Sequence, residues 1–430
     1  MKGRAMKRRA LNRREFMGGA TLAAAGALMT RSVAFAGTAG GPRLVVIIMR
    51  GALDGLAAVP PWGDPDYARL RGALAIGAPG STDGALPLDG VFGLHPSLAF
   101  LHEAYGAGEL VVCHAVASAY RERSHFDGQD VLESGFTTPH ASMSGWLNRA
   151  LAALPAGTAH SAAEPGIAIG ANVPLLLRGP AAVASWSPTR LASVDEDTLQ
   201  RITDLYAQDP QLSKRLAEAL TADAMAADTA MVPDAQAMGV LSAASASSAP
   251  GAPAPKPVNN AYAEVVRAAA GFLNHEDGPR VAVFDTTGWD THQNEGGARG
   301  QLANRLGALD AGLRLLKQQS DPVWRSTVVI AITEFGRTAA VNGTGGSDHG
   351  TGTVAFLMGG AVNGGRVVAD WPGLSQKALY QQRDLAPTLD LRALLKGVLA
   401  DHLGVPQRAL DDKVFPGSGG VKPLRDLIRA

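Results

Sequence analysis

Cysteine is almost missing from this chain. Cys113 is the single thiol in 430 residues, so no disulfide can form within the chain, and its place in the apolar run Leu110 to Val116 marks it as a core residue. An excess of either charge is missing too. Lys and Arg total 39 against 39 Asp and Glu, and no basic stripe stands out, which removes the electrostatic basis for gripping nucleic acid while leaving room for a local anion pocket. Aromatic residues make up 5% and hydrophobic residues 46%, an ordinary globular balance with enough apolar mass for a sizeable core. No apolar stretch is long enough for a stable transmembrane segment. The candidate nearest the N-terminus, Met17 to Met29, falls short of the length a bilayer requires.

That N-terminal segment predicts a signal rather than a fold element. Basic residues through Arg14 precede it, and Ala34-Phe35-Ala36 offers small residues for cleavage after Ala36. The paired arginines in Asn12-Arg13-Arg14-Glu15-Phe16-Met17 resemble a twin-arginine export signal. Residues 1–36 are therefore expected to engage the twin-arginine translocase and be removed, with residues 37–430 forming a periplasmic or secreted α/β domain.

What is present is a rhythm of aliphatic runs that end in polar loops. Leu44 to Met49 reads as a strand covered on both faces, followed by a turn carrying Asp54. Asp54 either caps the next helix or serves as a ligand. A mostly irregular stretch covers Pro60 to Gly93, after which Pro96 opens a short helix through Tyr105 and a second strand starts at Leu110. Ser124 then sits at the start of a helix, with Arg121, Arg123 and His125 around it. It is either an N-cap or a hydroxyl nucleophile where the helix N-terminus favours an anion.

Residues 193–205 and 210–220 predict amphipathic helices, and an Ala, Ser and Pro-rich stretch near 221–259 predicts a flexible insertion. Val281 to His292 is the stretch around which the rest is organised: Val-Ala-Val-Phe runs into Asp285, Asp290 and His292. The leucines 302, 306, 309, 313 and 316 then repeat at helical spacing, the strand Thr327 to Thr333 leads to Glu334 and Arg337, and a glycine-rich turn carries Asp348 and His349. Asp384 is expected to cap a last helix, with Pro387 in its first turn.

Parallel strands deliver their ends to one edge of a sheet, so residues far apart in sequence can meet there. Asp290, His292 and His349 form a His, His, carboxylate set suited to Zn²⁺, Mn²⁺ or Fe²⁺. Asp54, Glu334 and, less directly, His125 remain for a second ion, and Asp348 lies beside the first. His114 is the weakest of the histidine candidates.

Arg50-Gly-Ala-Leu-Asp54-Gly, Arg123-Ser-His-Phe-Asp127, Gly288-Trp-Asp-Thr-His292, Thr333-Glu-Phe-Gly-Arg337 and Ser347-Asp-His-Gly350 together resemble an uncharacterised family of twin-arginine-exported bacterial proteins grouped with the alkaline phosphatase and sulfatase superfamily. The resemblance implies an alkaline-phosphatase-like three-layer α/β sandwich with a mostly parallel central sheet flanked by helices. It further implies a divalent-metal cofactor, one or two ions of Zn, Mn or Ca, with Asp54 as the metal aspartate after the first strand and Ser124 as nucleophile. Asp290, His292 and His349 would be further ligands, and Arg121, Arg123 or Arg337 would hold the substrate's equatorial oxygens. Phe335 stands where the superfamily places a histidine ligand, and no Cys-x-Pro-x-Arg occurs, which argues against a formylglycine sulfatase. The expected activity is hydrolysis of a small anionic phosphate or sulfate ester. The alternatives are a non-catalytic binding or assembly protein, and an enzyme of different chemistry acting on a cell-surface polymer.

Overall fold

The computed structural model describes residues 41–155, 165–188, 260–429 and parts of 202–220. The signal segment and the 221–259 insertion lie outside the described residues, as does most of the 193–205 helix. Among the described residues, nine strands join one sheet in the order β10-β4-β9-β8-β1-β7-β5-β6, with β11 also paired to β4. Their ranges are β1 Arg43–Arg50, β4 Leu110–Ala117, β5 Gly166–Ile169, β6 Val183–Trp186, β7 Val281–Thr287, β8 Thr327–Ile332, β9 Thr353–Met358, β10 Arg366–Val368 and β11 Leu389–Asp390. A separate hairpin pairs β2 Leu86–Pro87 with β3 Gly93–Leu94. Every pairing in the large sheet is parallel except those of β9, which runs antiparallel to both β4 and β8.

Side chains alternate between the faces of a strand, and β1 shows the consequence. Val45, Ile47 and Met49 join one core cluster with Phe100, Leu101, Leu306 and Leu313. Leu44, Val46 and Ile48 join a second cluster on the other face with Trp146, Leu394, Leu395 and Val398. Both faces are thus buried under helices, which is why the strands read as unbroken aliphatic runs.

The helices are α1 Gly55–Ala58, α2 Tyr67–Arg71, α3 Ala99–Gly106, α4 His125–Ser134, α5 Trp146–Ala152, α6 Asn260–Asn274, α7 Gln301–Gln319 and α8 Leu391–Asp401, with α9 Gln407–Ala409 near the C-terminus. The five periodic leucines of α7, 302, 306, 309, 313 and 316, are all buried. Among the described residues no helix is long and apolar enough to cross a membrane.

Two local expectations change. The last long helix starts at Leu391 under an Asp390 cap whose side chain accepts from Arg392 N, because Asp384 is occupied elsewhere: it binds Arg123, Arg383 and Thr351. Ser124 does occupy the N-cap position of α4, but its side chain makes no capping hydrogen bond. Asp54 does cap α1, accepting from Ala57 N at 3.0 Å.

Candidate metal centre

The polar loops meet at one edge of the sheet. The parallel strands β1, β4, β7 and β8 deliver their carboxyl ends there, and β9, being antiparallel, starts there. Close approach of the loops depends on Gly51, whose φ is +118° and where a Cβ would lie 2.7 Å from the backbone nitrogen of Asp290. No side chain fits between these two loops.

Three imidazoles converge on one carboxylate oxygen. Asp290 Oδ1 lies 3.1 Å from His292 Nε2, 3.3 Å from His349 Nε2 and 3.4 Å from His125 Nε2. The His292 and His349 Nε2 atoms are themselves 2.9 Å apart. In each ring the other nitrogen is turned to an acceptor. His125 Nδ1 donates to Glu334 Oε1 at 2.8 Å, His292 Nδ1 faces Asp348 Oδ1 at 3.3 Å, and His349 Nδ1 donates to the carbonyl of Arg123 at 2.9 Å.

Those partners assign the proton of each neutral ring to Nδ1, so all three Nε2 lone pairs face inward. Arg337 Nη1, 3.5 Å from His292 Nε2, fits the same assignment. Three lone pairs and an anionic oxygen repel one another unless a cation or a ring proton lies among them, and Arg337 already lends its charge to Asp290. A tetrahedral ion bound at about 2.0–2.2 Å by nitrogen and oxygen separates its donors by roughly 3.3 Å, and the observed spacings straddle that value. Carboxylate or carbonyl partners behind ligating histidines are the usual way a metal site fixes its rings. The residues present therefore fit an ion held by His125, Asp290 and His349, whose donor atoms all lie within 4.8 Å of one another, with His292 Nε2 beside Asp290 and His349 as the candidate fourth donor.

The electrostatics follow from these contacts. The His125 pKa is raised, first by its hydrogen bond to Glu334, against the opposing effect of burial. His349 is lowered by burial and by the neighbouring His125. Burial would raise Asp290, but the Arg337 guanidinium outweighs it and holds the carboxyl below its ordinary value. Glu334 is likewise lowered despite its burial, by hydrogen bonds from His125, Gln129 and Gly51 N among others.

Ser124 is bracketed by this centre. The Arg123 carbonyl before it binds His349, and the His125 ring after it contributes a donor. Its own N–H donates to Tyr120 Oη at 3.2 Å. Arg123 adopts a φ of 62°, a left-handed conformation costly for a long side chain and consistent with a constraint imposed by the site.

The arginines are engaged by the protein. Arg337 is buried and donates to the carbonyls of Ala52, Gly51, Trp289 and Ser347 and to Asp290. Arg121 donates to the Ser118 and Tyr120 carbonyls, and Arg123 to Asp384 and Gln381.

The second group of expected ligands does not assemble. Asp54 is fully buried and pairs with Arg71, beside Glu295 and apart from the imidazoles. Glu334 serves His125 from behind, and His125 joins the first set of ligands. Phe335 stacks on the His125 ring at 5.1 Å between centroids. His114 is a core residue, bonded to Val59 O and Ala115 N and stacked on Phe92. Arg71 and Glu295 were not singled out from the sequence. Arg71 falls in a stretch without periodicity, and Glu295 lies just past the motif ending at His292.

Fold and site together define an α/β protein with a candidate mononuclear metal centre at the strand ends. The chain belongs to the family described as protein of unknown function (DUF1501), whose model matches residues 115–414. That span holds all four candidate ligands and Ser124, whereas Asp54 and Arg71 precede it. No curated protein matches the chain. Among solved structures, the crystal structure of Ps i-CgsB in complex with k-i-k-neocarrahexaose is similar at 11% identity and a TM-score of 0.34, covering 89% of this chain and 77% of that one. At that TM-score it carries no argument here.

Proposed function

We propose that the protein is a metal-dependent hydrolase of phosphate or sulfate esters that holds one divalent ion on His125, Asp290, His292 and His349 and uses Ser124 as nucleophile. The observation carrying this reading is the convergence of three Nε2 atoms on Asp290 Oδ1, each ring anchored through Nδ1. An imidazole-rich donor set favours Zn²⁺, Mn²⁺ or Fe²⁺ over Ca²⁺, which prefers oxygen. Bound there, such an ion would polarise an ester oxygen and lower the pKa of a nearby hydroxyl.

The chain's own residues supply the rest. Ser124 stands at the N-terminus of α4, where free N–H groups and the helix dipole favour an incoming anion. Its hydroxyl is not spent on capping. Since Arg121, Arg123 and Arg337 are held by protein acceptors, the anion's charge falls to the ion and to this helix terminus. An alkaline-phosphatase-like fold and twin-arginine export belong to the same proposal, the latter resting on Arg13-Arg14 and the apolar segment after it. The substrate would then be a small anionic ester or a group on a cell-surface polymer.

Elemental analysis of the exported protein tests the centre, with His292→Ala and His349→Ala as folded controls. Near-stoichiometric metal lost in both variants, together with ester turnover lost in Ser124→Ala at unchanged metal content, is the expected outcome. Full turnover in Ser124→Ala removes the serine from the mechanism. The packing of Phe335 where the resemblance expects a ligand favours a second reading, a non-catalytic binding or assembly protein. Unaltered cellular function in a folded variant lacking both His292 and His349 selects it.

A further inference from the structure

We infer that Glu295 is a positioning residue for the centre, a buried carboxyl that fastens together the two loops carrying Asp290, His292 and His349; this rests on the metal reading above. Glu295 is fully buried. Its Oε2 accepts from Thr291 Oγ1 at 3.0 Å and from Ser347 Oγ at 2.6 Å. Thr291 stands between Asp290 and His292 on the loop after β7. Ser347 precedes Asp348 and His349 on the loop before β9. One carboxyl group thus ties its own loop to a residue 52 positions further along the chain, and the backbone bond from Ser347 N to Thr291 O at 3.2 Å closes the same junction.

The other side of the group explains why a carboxyl can be buried there. Arg71 Nη2 is 3.4 Å from Glu295 Oε1 and also pairs with Asp54. Two carboxyls therefore face one guanidinium. Burial and the adjacent Asp54 push Glu295 up to about 8, while Asp54 is lowered, its burial outweighed by Arg71 and by the hydrogen bond from Glu295. Glu295 accordingly bears the proton and acts as a neutral hydrogen-bonding group, accepting two hydroxyls and donating to Asp54. A glutamine has the same shape and the same kinds of bond to offer.

The test compares Zn²⁺ affinity, by competition with a chelator of known strength, in the wild type, Glu295→Gln, Glu295→Ala and His349→Ala. Loss of an outer partner of a metal site weakens binding about 10–100-fold, and that loss is expected for Glu295→Ala, with Glu295→Gln staying within about threefold of the wild type because it keeps those bonds. Asp310→Ala, which destabilises the fold away from the site, should leave the affinity unchanged and separates positioning from general loss of stability. If Glu295→Ala does not fold, Thr291→Val and Ser347→Ala remove the two hydroxyls singly, and each is expected to weaken Zn²⁺ binding. Wild-type affinity in Glu295→Ala, or in both hydroxyl variants, overturns the inference, as does equal weakening in Glu295→Gln and Glu295→Ala. A wild type that takes up no Zn²⁺, or a His349→Ala variant that binds it as well as the wild type, overturns the metal reading itself, and this inference with it.

Discussion

Replacing Arg337 separates two roles that the sequence alone leaves open: holding a substrate anion, or holding the site together. The Arg337 side chain is fully buried, and its donors reach Ala52 O at 2.9 Å, Ser347 O and Gly51 O at 3.1 Å, Trp289 O at 3.3 Å and the Asp290 carboxylate. These acceptors come from the loops after β1 and β7 and the loop before β9, while Arg337 follows β8. Because Arg337 and Ser347 lie on the one connection between β8 and β9, the guanidinium joins three segments.

In Arg337→Met the length is roughly kept and every donor is lost. Hydrogen bonds to a charged group contribute about 1.5–3 kcal/mol each, and a buried acceptor left unpaired costs about 1–3 kcal/mol. These contributions are not additive, and half-exposed Asp290 deserves a discount for solvent screening. Even so, the expected loss is at least about 4 kcal/mol, a large part of the roughly 5–15 kcal/mol that holds a typical domain folded. Arg337→Lys keeps the charge but offers three donors on a single point, so it should recover part of the loss only. Urea unfolding measures both variants, and metal content should fall with stability because Asp290 loses its orienting partner. A stability loss below about 1 kcal/mol combined with a raised KM would refute this reasoning and return Arg337 to the substrate.

Four further outcomes follow from contacts in the same fold. Asp310 accepts from Phe100 N at 3.0 Å and Leu101 N at 2.9 Å, capping α3 from the neighbouring α7, so Asp310→Ala should cost about 1–3 kcal/mol by leaving two buried N–H groups unpaired. Burial raises the Asp310 pKa from 3.8 to about 6; the folded state then binds the proton more tightly than the unfolded state, and this contribution to stability is present at low pH and lost as pH rises from about 4 to about 6. Thermal melts across that window should flatten in Asp310→Asn, and an unchanged slope would count against the assignment. Stripping the ion with a chelator should lower the midpoint of thermal unfolding, by the equivalent of about 2.7 kcal/mol if free metal stood at 100 times its Kd, and His292→Ala should show no such shift. Phe335→His should still bind a single ion by elemental analysis and should lose about 1–3 kcal/mol for burying a polar ring; a second equivalent of metal would contradict the assignment of Asp54 to Arg71.

The long strands β1, β4, β7 and β8 were legible because an unbroken aliphatic run is a local property of the chain, whereas the short β6, β10 and β11 carry no such run. Asp290, His292 and His349 were legible for a related reason: each lies within a few residues of a strand end, and parallel strands carry their ends to one edge. The partners of buried charges were not legible. Arg71 meets Asp54 from a segment with no periodic signal, and Arg337 satisfies carbonyls on two distant loops, after β1 and after β7, that nothing in the sequence marks as its neighbours. His125 was read with the second group of ligands, although the turn of α4 aims its Nε2 at Asp290 and its Nδ1 at Glu334. Asp384 looked like a helix cap because Asp followed shortly by Pro is a common start, but Arg123 and Thr351 from other segments, with the adjacent Arg383, claim it first. Charge pairing across a sheet edge is decided by tertiary geometry, and spacing along the chain carries little of it.

The same charge pairing bears on how many ions the edge can hold. A second cation would need anionic oxygens free of other obligations. Asp54 already has a cation, since Arg71 lies fully buried against it, and displacing a buried guanidinium would leave that charge without a partner, at a cost of several kcal/mol. Glu334 is equally committed: its Oε1 accepts from His125 Nδ1, Gln129 Nε2 and Gly51 N, and taking it as a ligand would release the ring whose orientation it sets. Phe335 fills the space beside His125 with apolar surface, leaving no donor there. Arginine at one position, a proton on Glu295 and a phenyl ring at another thus meet the needs that a second ion would meet, which leaves the imidazole cluster around Asp290 as the candidate place for a single cation.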